Sequence, residues 1–233
     1  EVVVPKGFRP QGVRIDSGDI AYLSKKIRKV LDAAGYSDVK IVASNSLDEY
    51  IIRDLILQGA KCDIFGVGEN LITSKSDPVF GGVYKLVAIS DGGEYIPKIK
   101  LSESVEKITT PHFKKLYRIY DKIGGSAIAD YVTLYNEKVT GDSITIFDPV
   151  ETWKKTRLTN VTFRELLVPV FQGGKCVYES PGLNEIRQYC ADEVDKLWDE
   201  VKRFENPHRH YVDLSKNLWQ IKTDLLSQYN GNV

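Results

Sequence analysis

Apolar and polar residues in the first part of the chain follow two periods in alternation. Short β-type runs occur at Gly12–Asp16, Val39–Ala43 and Cys62–Val67. Between them, apolar residues recur at helical spacing across Asp19–Ala34 and Ser46–Gln58. Strands that alternate with helices at this spacing predict βαβ units and a parallel sheet.

From about residue 80 the pattern changes to short strands separated by turns rich in Gly and Asp. Four strands are predicted, over Gly82–Ile89, Tyr95–Leu101, Lys115–Tyr120 and Ala127–Leu134. Asp91–Gly93 and Lys122–Gly125 are typical turn sequences between them. This pattern indicates antiparallel sheet beside the parallel part. Residues 136–180 are predicted to be irregular, with one further strand at Leu166–Val170.

The tail is predicted to be helical. An apolar stripe runs from Leu183 to Phe204, Pro207 interrupts it, and a second helix is predicted from Leu214 onward. The sequence therefore predicts three parts: βα units over 1–90, an antiparallel and irregular β region over 91–180, and C-terminal helices over 181–233.

The composition of the chain argues against several classes of function. The chain has 233 residues, equal numbers of basic and acidic side chains and 42% hydrophobic residues, which are values typical of a globular domain. A nucleic-acid binder or an anionic-membrane binder would be expected to carry a basic excess. No apolar run approaches the roughly 18 residues that a membrane span needs. The three cysteines have no CxxC spacing, which favours reduced thiols in a cytoplasmic protein over a disulfide framework or a zinc site.

Methionine is absent from the sequence, and the chain opens on the approach to a strand. We therefore expect the sequence to be the C-terminal portion of a longer polypeptide. The first residues also lack the basic and then apolar layout of a signal peptide.

Candidate chemistry is concentrated where the three predicted parallel strands end, which is the edge at which α/β folds form their sites. The eight candidates fall into three segments: Arg14 and Asp16; Ser44 and Asn45; and Gly66, Gly68, Glu69 and Asn70. Because they follow parallel strands, we expect the three segments to meet at one edge of the sheet.

Each segment has a functional and a structural interpretation. Arg14 offers a planar fork of donors for phosphate or carboxylate, and Asp16 can accept from sugar hydroxyls or hold hydrated Mg²⁺, but the two side chains can equally pair with each other. Ser44 and Asn45 can bind a sugar or phosphate, or cap the following helix. The Gly66–Gly68 segment allows close approach of backbone amides to phosphate, although such a sequence is more often an ordinary turn.

Other reactive side chains give weaker signals. The pair His208 and His210 has no acidic or Cys partner at metal-ligand spacing, so a solvated loop is predicted there and no metal site is assigned. Ser17 lacks the G-x-S-x-G context of a hydrolase nucleophile.

Several of these segments, taken in order, resemble the C-terminal half of nicotinate phosphoribosyltransferase. The likeness rests on five stretches: Val13-Arg-Ile-Asp-Ser-Gly-Asp19, Ala43-Ser-Asn45, Phe65-Gly-Val-Gly68, Gly81-Gly-Val-Tyr-Lys-Leu-Val87 and Leu166-Leu-Val-Pro169. It continues through Lys98–Ser102 and into the helical tail, so it covers nearly the whole chain.

The resemblance implies a fold and an activity. The fold is part of an irregular α/β barrel of the type II phosphoribosyltransferase kind, with added antiparallel strands and a C-terminal helical segment. The reaction joins nicotinate to phosphoribosyl pyrophosphate and gives nicotinate mononucleotide and pyrophosphate, in NAD salvage. Mg²⁺ assists, and ATP is a co-substrate that acts through a phosphorylated histidine. The implied partners are the N-terminal half of the enzyme and a second subunit of a cytoplasmic homodimer.

The resemblance also implies roles for the candidate residues. Arg14 corresponds to the arginine near the pyridine ring and phosphates, and Asp16 to the aspartate that meets the ribose hydroxyls. Ser44 and Asn45 stand near ribose and phosphate. The remaining four candidates, Gly66, Gly68, Glu69 and Asn70, stand on the loop that binds the 5′-phosphate.

Two departures from the family pattern limit which residue roles the resemblance can assign to this sequence. None of the three histidines matches the phosphorylated one, which lies in the N-terminal half. Glu69 replaces a glycine of the nicotinamide-using relative, so only its amide is expected to donate to phosphate. Three alternatives stay open: a nicotinamide- or quinolinate-using phosphoribosyltransferase, a non-catalytic nucleotide-binding module, and a generic α/β domain.

Overall fold

The computed structural model of the protein describes residues 4–79 and 81–230. The chain divides into two units, Glu1–Gly82 and Val83–Val233, and each has its own hydrophobic core. The division into 1–90, 91–180 and 181–233 stays a prediction, and its outermost residues, 1–3 and 231–233, lie outside the described residues. No helix within the described ranges is long and apolar enough to cross a membrane.

The first unit is built on a parallel three-stranded sheet in the order β1–β2–β3, as the sequence predicts. The strands are β1 (Gly12–Ile15), β2 (Lys40–Ser44) and β3 (Ile64–Gly66). The helices are α1 (Ile20–Ala33), α2 (Glu49–Leu57) and the short α3 (Glu69–Ile72). Each strand leads into a helix, so the three strand ends lie at one edge.

Side-chain caps and a small apolar core fix this arrangement. Asp19 accepts from the Tyr22 amide and begins α1, while Gly35, with φ of 79°, follows its end. The core places Ala21 of α1 and Leu55 of α2 against Ala43 of β2. Burial of these aliphatic groups holds both helices on the sheet.

The second unit contains the antiparallel region. Its strands up to residue 147 are β4 (Ala88–Asp91), β5 (Glu94–Pro97), β6 (Lys114–Asp121), β7 (Ala127–Leu134) and β8 (Ser143–Phe147). The later strands are β9 (Lys155–Thr159), β10 (Val161–Glu165), β11 (Phe171–Gln172), β12 (Lys175–Cys176) and β13 (Tyr211–Leu214). Its helices are α4 (Leu183–Asp195) and α5 (Lys216–Asn230).

The main sheet of this unit has the order β10–β6–β7–β13, and β13 is parallel to β7 while the other neighbours are antiparallel. Three hairpins, β4–β5, β8–β9 and β11–β12, complete the strands. The predicted turns at Asp91–Gly93 and Lys122–Gly125 are confirmed, since Asp91 pairs with Glu94 and the second turn joins β6 to β7. The protein is therefore a mixed α/β fold with parallel and antiparallel sheets.

Three predicted strands differ from the structure, and one of them is Tyr95–Leu101, because β5 ends at Pro97. Of Gly82–Ile89, only Ala88 and Ile89 lie in a strand, and residues 82–87 have no strand partner. The predicted strand at Leu166–Val170 is wrong: the strand is the preceding β10, and only the Leu166 amide continues its pairing, to the carbonyl of Leu116. Pro169 has no backbone N–H to extend the ladder.

The tail also differs from its prediction. The helix predicted to reach Phe204 ends at Asp195, where the next carbonyl, that of Lys196, accepts from the Ala127 amide at the start of β7. Leu214, predicted in the last helix, lies in β13 instead. That helix begins after Ser215, whose hydroxyl accepts from the Leu218 amide.

Candidate functional site

The carboxyl ends of β1 and β2 bring the first two candidate segments together. Parallel pairing sets Arg14 opposite Val42 and Ile15 opposite Ala43. Ile15 and Ala43 are buried in the sheet, and side chains alternate along a strand, so Arg14 lies exposed on the other face. Asp16 and Ser44 then lie side by side just where the strands end.

The guanidinium of Arg14 contacts both segments. Its Nε donates to Ser44 Oγ at 2.8 Å, and its Nη2 lies 3.1 Å from Asp16 Oδ2. The Arg14 and Asp16 side chains are 64% and 53% exposed, so both remain accessible to a ligand. The structural alternative, that the two residues pair with each other, is thus realised. Nη1 of Arg14 and Oδ1 of Asp16 have no partner within residues 4–79 and 81–230.

The second segment is a strained turn. Asn45 Nδ2 donates to the backbone oxygen of Asp16 at 2.8 Å, which ties the turn to the end of β1. Asn45 and Ser46 have φ angles of 86° and 51°, a left-handed conformation that non-glycine residues adopt rarely. Such strain is concentrated at functional sites.

The structural alternative for Ser44 and Asn45, that they cap the next helix, is wrong. The cap of α2 is Asp48, whose carboxylate accepts from the Ile51 amide at 2.8 Å. The helix begins at Glu49 rather than near Ser46, because the left-handed turn intervenes. The side chains of Ser44 and Asn45 are occupied by Arg14 and Asp16 instead.

The third segment joins the edge through Asn70. Its Nδ2 donates to the carbonyls of Ser46 and Leu47 at 3.0 and 3.1 Å. Gly66 ends β3 so close to β2 that a Cβ there would lie 3.4 Å from Ser44 Cβ. Gly68 precedes α3, and Glu69 is exposed in its first turn. The three segments therefore form one connected edge, as predicted from the parallel strands.

The chemistry of this edge combines one fixed cation, one carboxylate and several neutral polar groups. The Arg14 guanidinium can donate to phosphate oxygens, and the Asp16 carboxylate can accept from hydroxyl groups. Both are oriented by neighbouring residues, which lowers the entropy lost when a ligand is bound. We call the set Arg14, Asp16, Ser44 and Asn45 the strand-end cluster.

One cavity of the first unit lies beside α2 and α3. It has a volume of about 360 Å³ and is lined by Asp48, Ile52, Val67, Asn70 and Leu71, among others. Asn70 is the one candidate residue among its lining residues. The strand-end cluster itself is an open surface of the first unit.

The three histidines all lie in the second unit. His208 is exposed, as the predicted solvated loop requires, but His210 is half-buried and its Nε2 lies 3.5 Å from Asp130 Oδ1. Within the described ranges no group of three His, Cys, Asp or Glu residues is arranged to hold a metal ion.

Comparison with known proteins identifies similar sequences. Residues 113–222 match the family described as nicotinate phosphoribosyltransferase C-terminal domain. Nicotinate phosphoribosyltransferase of Bacillus subtilis is 42% identical over 223 residues, which are 95% of this chain. The enzyme of the same name from Dictyostelium discoideum is 34% identical and matches 91% of the chain. The resemblance stated from the sequence is confirmed.

A solved structure shows the same likeness. The crystal structure of human nicotinic acid phosphoribosyltransferase superposes with a TM-score of 0.72 at 28% sequence identity and covers 94% of this chain. The chain spans less than half of these proteins: 46% of the Bacillus subtilis enzyme, 38% of the Dictyostelium discoideum enzyme and 41% of the human structure.

Proposed function

We propose that this chain acts as the C-terminal half of a nicotinate phosphoribosyltransferase and that its strand-end cluster binds the phosphoribosyl group. The likeness to proteins of that name over more than nine-tenths of the chain supports the activity. The observation that carries the site assignment is the contact of Arg14 with both Ser44 and Asp16 at the shared edge of β1 and β2.

Arg14 and Asp16 have complementary roles in this proposal. The guanidinium, held by Ser44, presents Nη1 to phosphate oxygens of phosphoribosyl pyrophosphate. The Asp16 carboxylate accepts from the ribose hydroxyls through its free oxygen. Transfer breaks the bond from the anomeric carbon to pyrophosphate as nicotinate attacks. Positive charge develops on the ribose, and a fixed carboxylate nearby stabilises it.

The remaining candidates position the other end of the sugar phosphate. Ser44 and Asn45 form the wall beside the ribose, and their left-handed turn is kept in place by the Asn45 to Asp16 hydrogen bond. The amides of Gly68, Glu69 and Asn70 have no backbone partner within the described residues, so they are available as donors to the 5′-phosphate. The Glu69 carboxylate is directed to solvent in this proposal.

In this proposal Mg²⁺ arrives bound to phosphoribosyl pyrophosphate and ATP is a co-substrate. Neither is held by a dedicated site on this chain. The described residues do not provide a cage of three ligands for a metal ion. The strand-end cluster fits an Mg²⁺ that is held mainly by pyrophosphate oxygens and water better than one held by protein ligands alone. Asp16 is the carboxylate of the cluster that could contact such an ion. No histidine of this chain is assigned to phosphorylation by ATP.

The rest of the site requires a further polypeptide segment. A parallel sheet of three strands has too few strands to close into a barrel. The outer edges of β1 and β3 have no partner strand within the described residues of this unit. We propose that the N-terminal half of the enzyme completes an irregular α/β barrel, supplies the base-binding residues and forms a cytoplasmic homodimer with a second copy.

The experiment is a turnover assay with nicotinate, nicotinamide or quinolinate as the base. Each reaction contains phosphoribosyl pyrophosphate and Mg²⁺, with and without ATP, and the mononucleotide is measured by chromatography. The protein is assayed as this chain alone and as the polypeptide that also contains the N-terminal half. Nicotinate mononucleotide from the longer form, increased by ATP, is the expected result.

Other outcomes of that assay identify the alternatives. Product from nicotinamide or quinolinate only would contradict the assigned substrate. Binding of nicotinate mononucleotide without turnover by the longer form would favour a non-catalytic nucleotide-binding module. Failure of both binding and turnover would contradict the proposed function.

A further inference from the structure

A second cavity, in the unit Val83–Val233, carries chemistry that the proposed function does not use. Its volume is about 430 Å³, and it lies between the β8–β9 hairpin, β7, β13 and the segment before β13. Two carboxylates, Asp148 and Asp213, line it together with the aromatic residues Phe147, Trp198 and Tyr211. We call it the Asp213 cavity.

Asp213 is buried without a partner. The residue is 5% exposed and lies on β13, opposite Tyr131 of β7. No hydrogen bond or ion pair reaches its carboxylate from the described part of the chain. Buried carboxylates are ordinarily hydrogen-bonded or paired with a cation, because removal from water without such compensation is costly. Asp213 lines the cavity and is not among the side chains whose polar atoms are fully enclosed without a partner, so its carboxylate is open to a donor, water or ligand, that enters the cavity.

The other carboxylate of the cavity is satisfied by the backbone. Asp148 accepts from the amides of Val150 and Glu151 at 2.8 and 2.7 Å, and these bonds hold its pKa below the usual range. Its negative charge remains beside Asp213. Burial first, and the Asp148 charge second, raise the pKa of Asp213 to about 6. A bound cation would relieve both costs.

The ammonium group that lines the cavity is already engaged. Lys154 forms an ion pair with Glu151 in this structure and makes no hydrogen bond or ion pair with Asp213. His208 contributes an imidazole that stacks edge-on against Tyr211, with ring centroids 5.7 Å apart. The cavity thus combines an uncompensated carboxylate with several aromatic rings, and aromatic faces attract organic cations.

A metal ion fits this donor set poorly. Asp148, His208 and Asp213 line the same cavity, yet they do not form a group able to hold a metal within the described residues. The aromatic and aliphatic walls instead favour a ligand with an apolar body and a charged end.

We propose that the Asp213 cavity binds a small planar organic cation with N–H donors, of the amidinium or protonated amino-heteroaromatic class. The charged end meets the Asp213 carboxylate and the flat body lies among Phe147, Trp198 and Tyr211. The cavity belongs to the second unit and the strand-end cluster to the first, and the proposal stands whether or not the proposed function is correct.

The test is calorimetric titration of the full chain with benzamidine, and with the neutral benzamide as the matched ligand. Benzamidine is expected to bind at least about tenfold more tightly than benzamide, since a charge-assisted hydrogen bond to a buried carboxylate depends on the ligand's charge. Asp213→Asn is expected to remove this preference. Asp199→Asn is the control, because that carboxylate is 96% exposed and lies outside the cavity lining.

A second variant tests whether binding requires the space of the cavity as well as the charge of Asp213. Thr156 lines the cavity on β9, and Thr156→Phe fills space while leaving Asp213 in place. It is expected to weaken benzamidine binding as strongly as Asp213→Asn, while thermal unfolding verifies that both variants are folded. Equal binding of benzamidine and benzamide would overturn the proposal. Unchanged benzamidine binding in either variant would overturn it as well.

The pH dependence supplies an independent readout. Benzamidine affinity is expected to fall as pH falls through about 6, since the protonated Asp213 carboxyl no longer attracts a cation. The other titratable groups that line the cavity are Asp148 and Lys154 from the hairpin and His208 and Tyr211, which precede Asp213 along the chain. Tyr131 of β7 lies opposite Asp213 in the sheet. His208→Gln alters a lining residue and can change the affinity, but the midpoint of the profile should remain, and a pH dependence abolished by that substitution would contradict the assignment to Asp213.

Discussion

Arg14 Nε lies 2.8 Å from Ser44 Oγ, a contact that joins two residues thirty positions apart in sequence. The parallel pairing of β1 with β2 creates this contact, and the left-handed turn after Ser44 maintains it. A flexible surface arginine is thereby held in one orientation at the edge where the sugar phosphate is proposed to bind.

The Ser44 contact is expected to affect turnover in the polypeptide that contains both halves. Ser44→Ala removes the acceptor that orients the guanidinium, and we expect kcat/KM for phosphoribosyl pyrophosphate to fall about tenfold. Ser44→Thr keeps a hydroxyl and should restore much of the activity. Steady-state kinetics measure both variants, and equal kcat/KM for Ser44→Ala and the parent would show that the contact does not orient Arg14 for catalysis.

The left-handed turn is expected to dominate the effect of substitutions at Ser46. Ser46→Val places a β-branched residue at a φ of 51° and should lower the free energy of unfolding by about 1–2 kcal/mol. Ser46→Gly should cost nothing or stabilise slightly. Urea denaturation measures the difference. Ser37→Val, at an exposed serine outside the left-handed region, is the control and should change stability by less than about 0.5 kcal/mol.

Glu193 is expected to anchor α4 to the main sheet. It accepts from Arg164 Nη1 at 3.0 Å and from Lys196 at 2.8 Å, and Arg118 Nη1 lies 3.4 Å away. The hydrogen bond from Arg164 is the main cause that lowers the pKa of Glu193 to about 2. Because its side chain is only 12% exposed, Glu193→Gln should lower the free energy of unfolding by about 1–3 kcal/mol at pH 7.

The pH dependence of the Glu193 effect follows from the direction of its shift. A lowered pKa in the folded state gives stability that is present above the ordinary value of 4.5 and is lost as pH falls towards 2. The gap between the parent and Glu193→Gln should therefore close over that range. Asp192→Asn, on the same helix, is the control, and a gap of the same size at low pH would contradict this account.

The contribution of Asp213 to stability is expected to change with pH in the opposite direction to that of Glu193. Its pKa is raised to about 6, so the folded state binds its proton more tightly than the unfolded chain does. Its contribution to stability is therefore lost as pH rises from its ordinary value of 3.8 through about 6. Asp213→Asn should raise the free energy of unfolding by about 1–3 kcal/mol at pH 8 and leave it unchanged near pH 3.5. Destabilisation at pH 8 would indicate that the carboxylate has a partner.

Local periodicity was sufficient to predict the first unit. The spacing of apolar residues in α1 and α2 and the runs in β1, β2 and β3 gave the parallel sheet, and the sheet in turn brought Asp16 and Ser44 together. The cap of α2 was missed because several polar residues precede the helix. Only the left-handed conformation of Asn45 and Ser46 makes Asp48 the cap.

Contacts between distant segments explain what the sequence could not predict in the second unit. The end of α4 depends on the Ala127 amide, which binds the Lys196 carbonyl across the fold. Strand β13 is defined by pairing with β7, and no local pattern marks it. The burial of Asp213 could not be predicted either, because it depends on the same long-range pairing. An isolated acidic residue in a sequence is ordinarily expected to be solvated.

The most direct test of the central claim compares two exposed arginines of the first unit. Arg14 lies in the strand-end cluster, whereas Arg9 is paired with Asp38 outside it, with Nη2 to Oδ1 at 2.6 Å. Both are replaced by alanine in the polypeptide that contains both halves, and nicotinate mononucleotide formation is measured over a range of phosphoribosyl pyrophosphate concentrations. The matched exposure and matched ion pairing separate the role of Arg14 from the loss of a surface charge.

Arg14→Ala is predicted to lower kcat/KM on the order of 100-fold, because a fixed donor to the phosphate oxygens and to the negative charge that grows on the leaving pyrophosphate is lost. Arg9→Ala is predicted to change kcat/KM by less than about twofold, since exposed ion pairs contribute little. An Arg14→Ala enzyme whose kinetics match those of the parent would contradict the assignment of the strand-end cluster to phosphoribosyl binding.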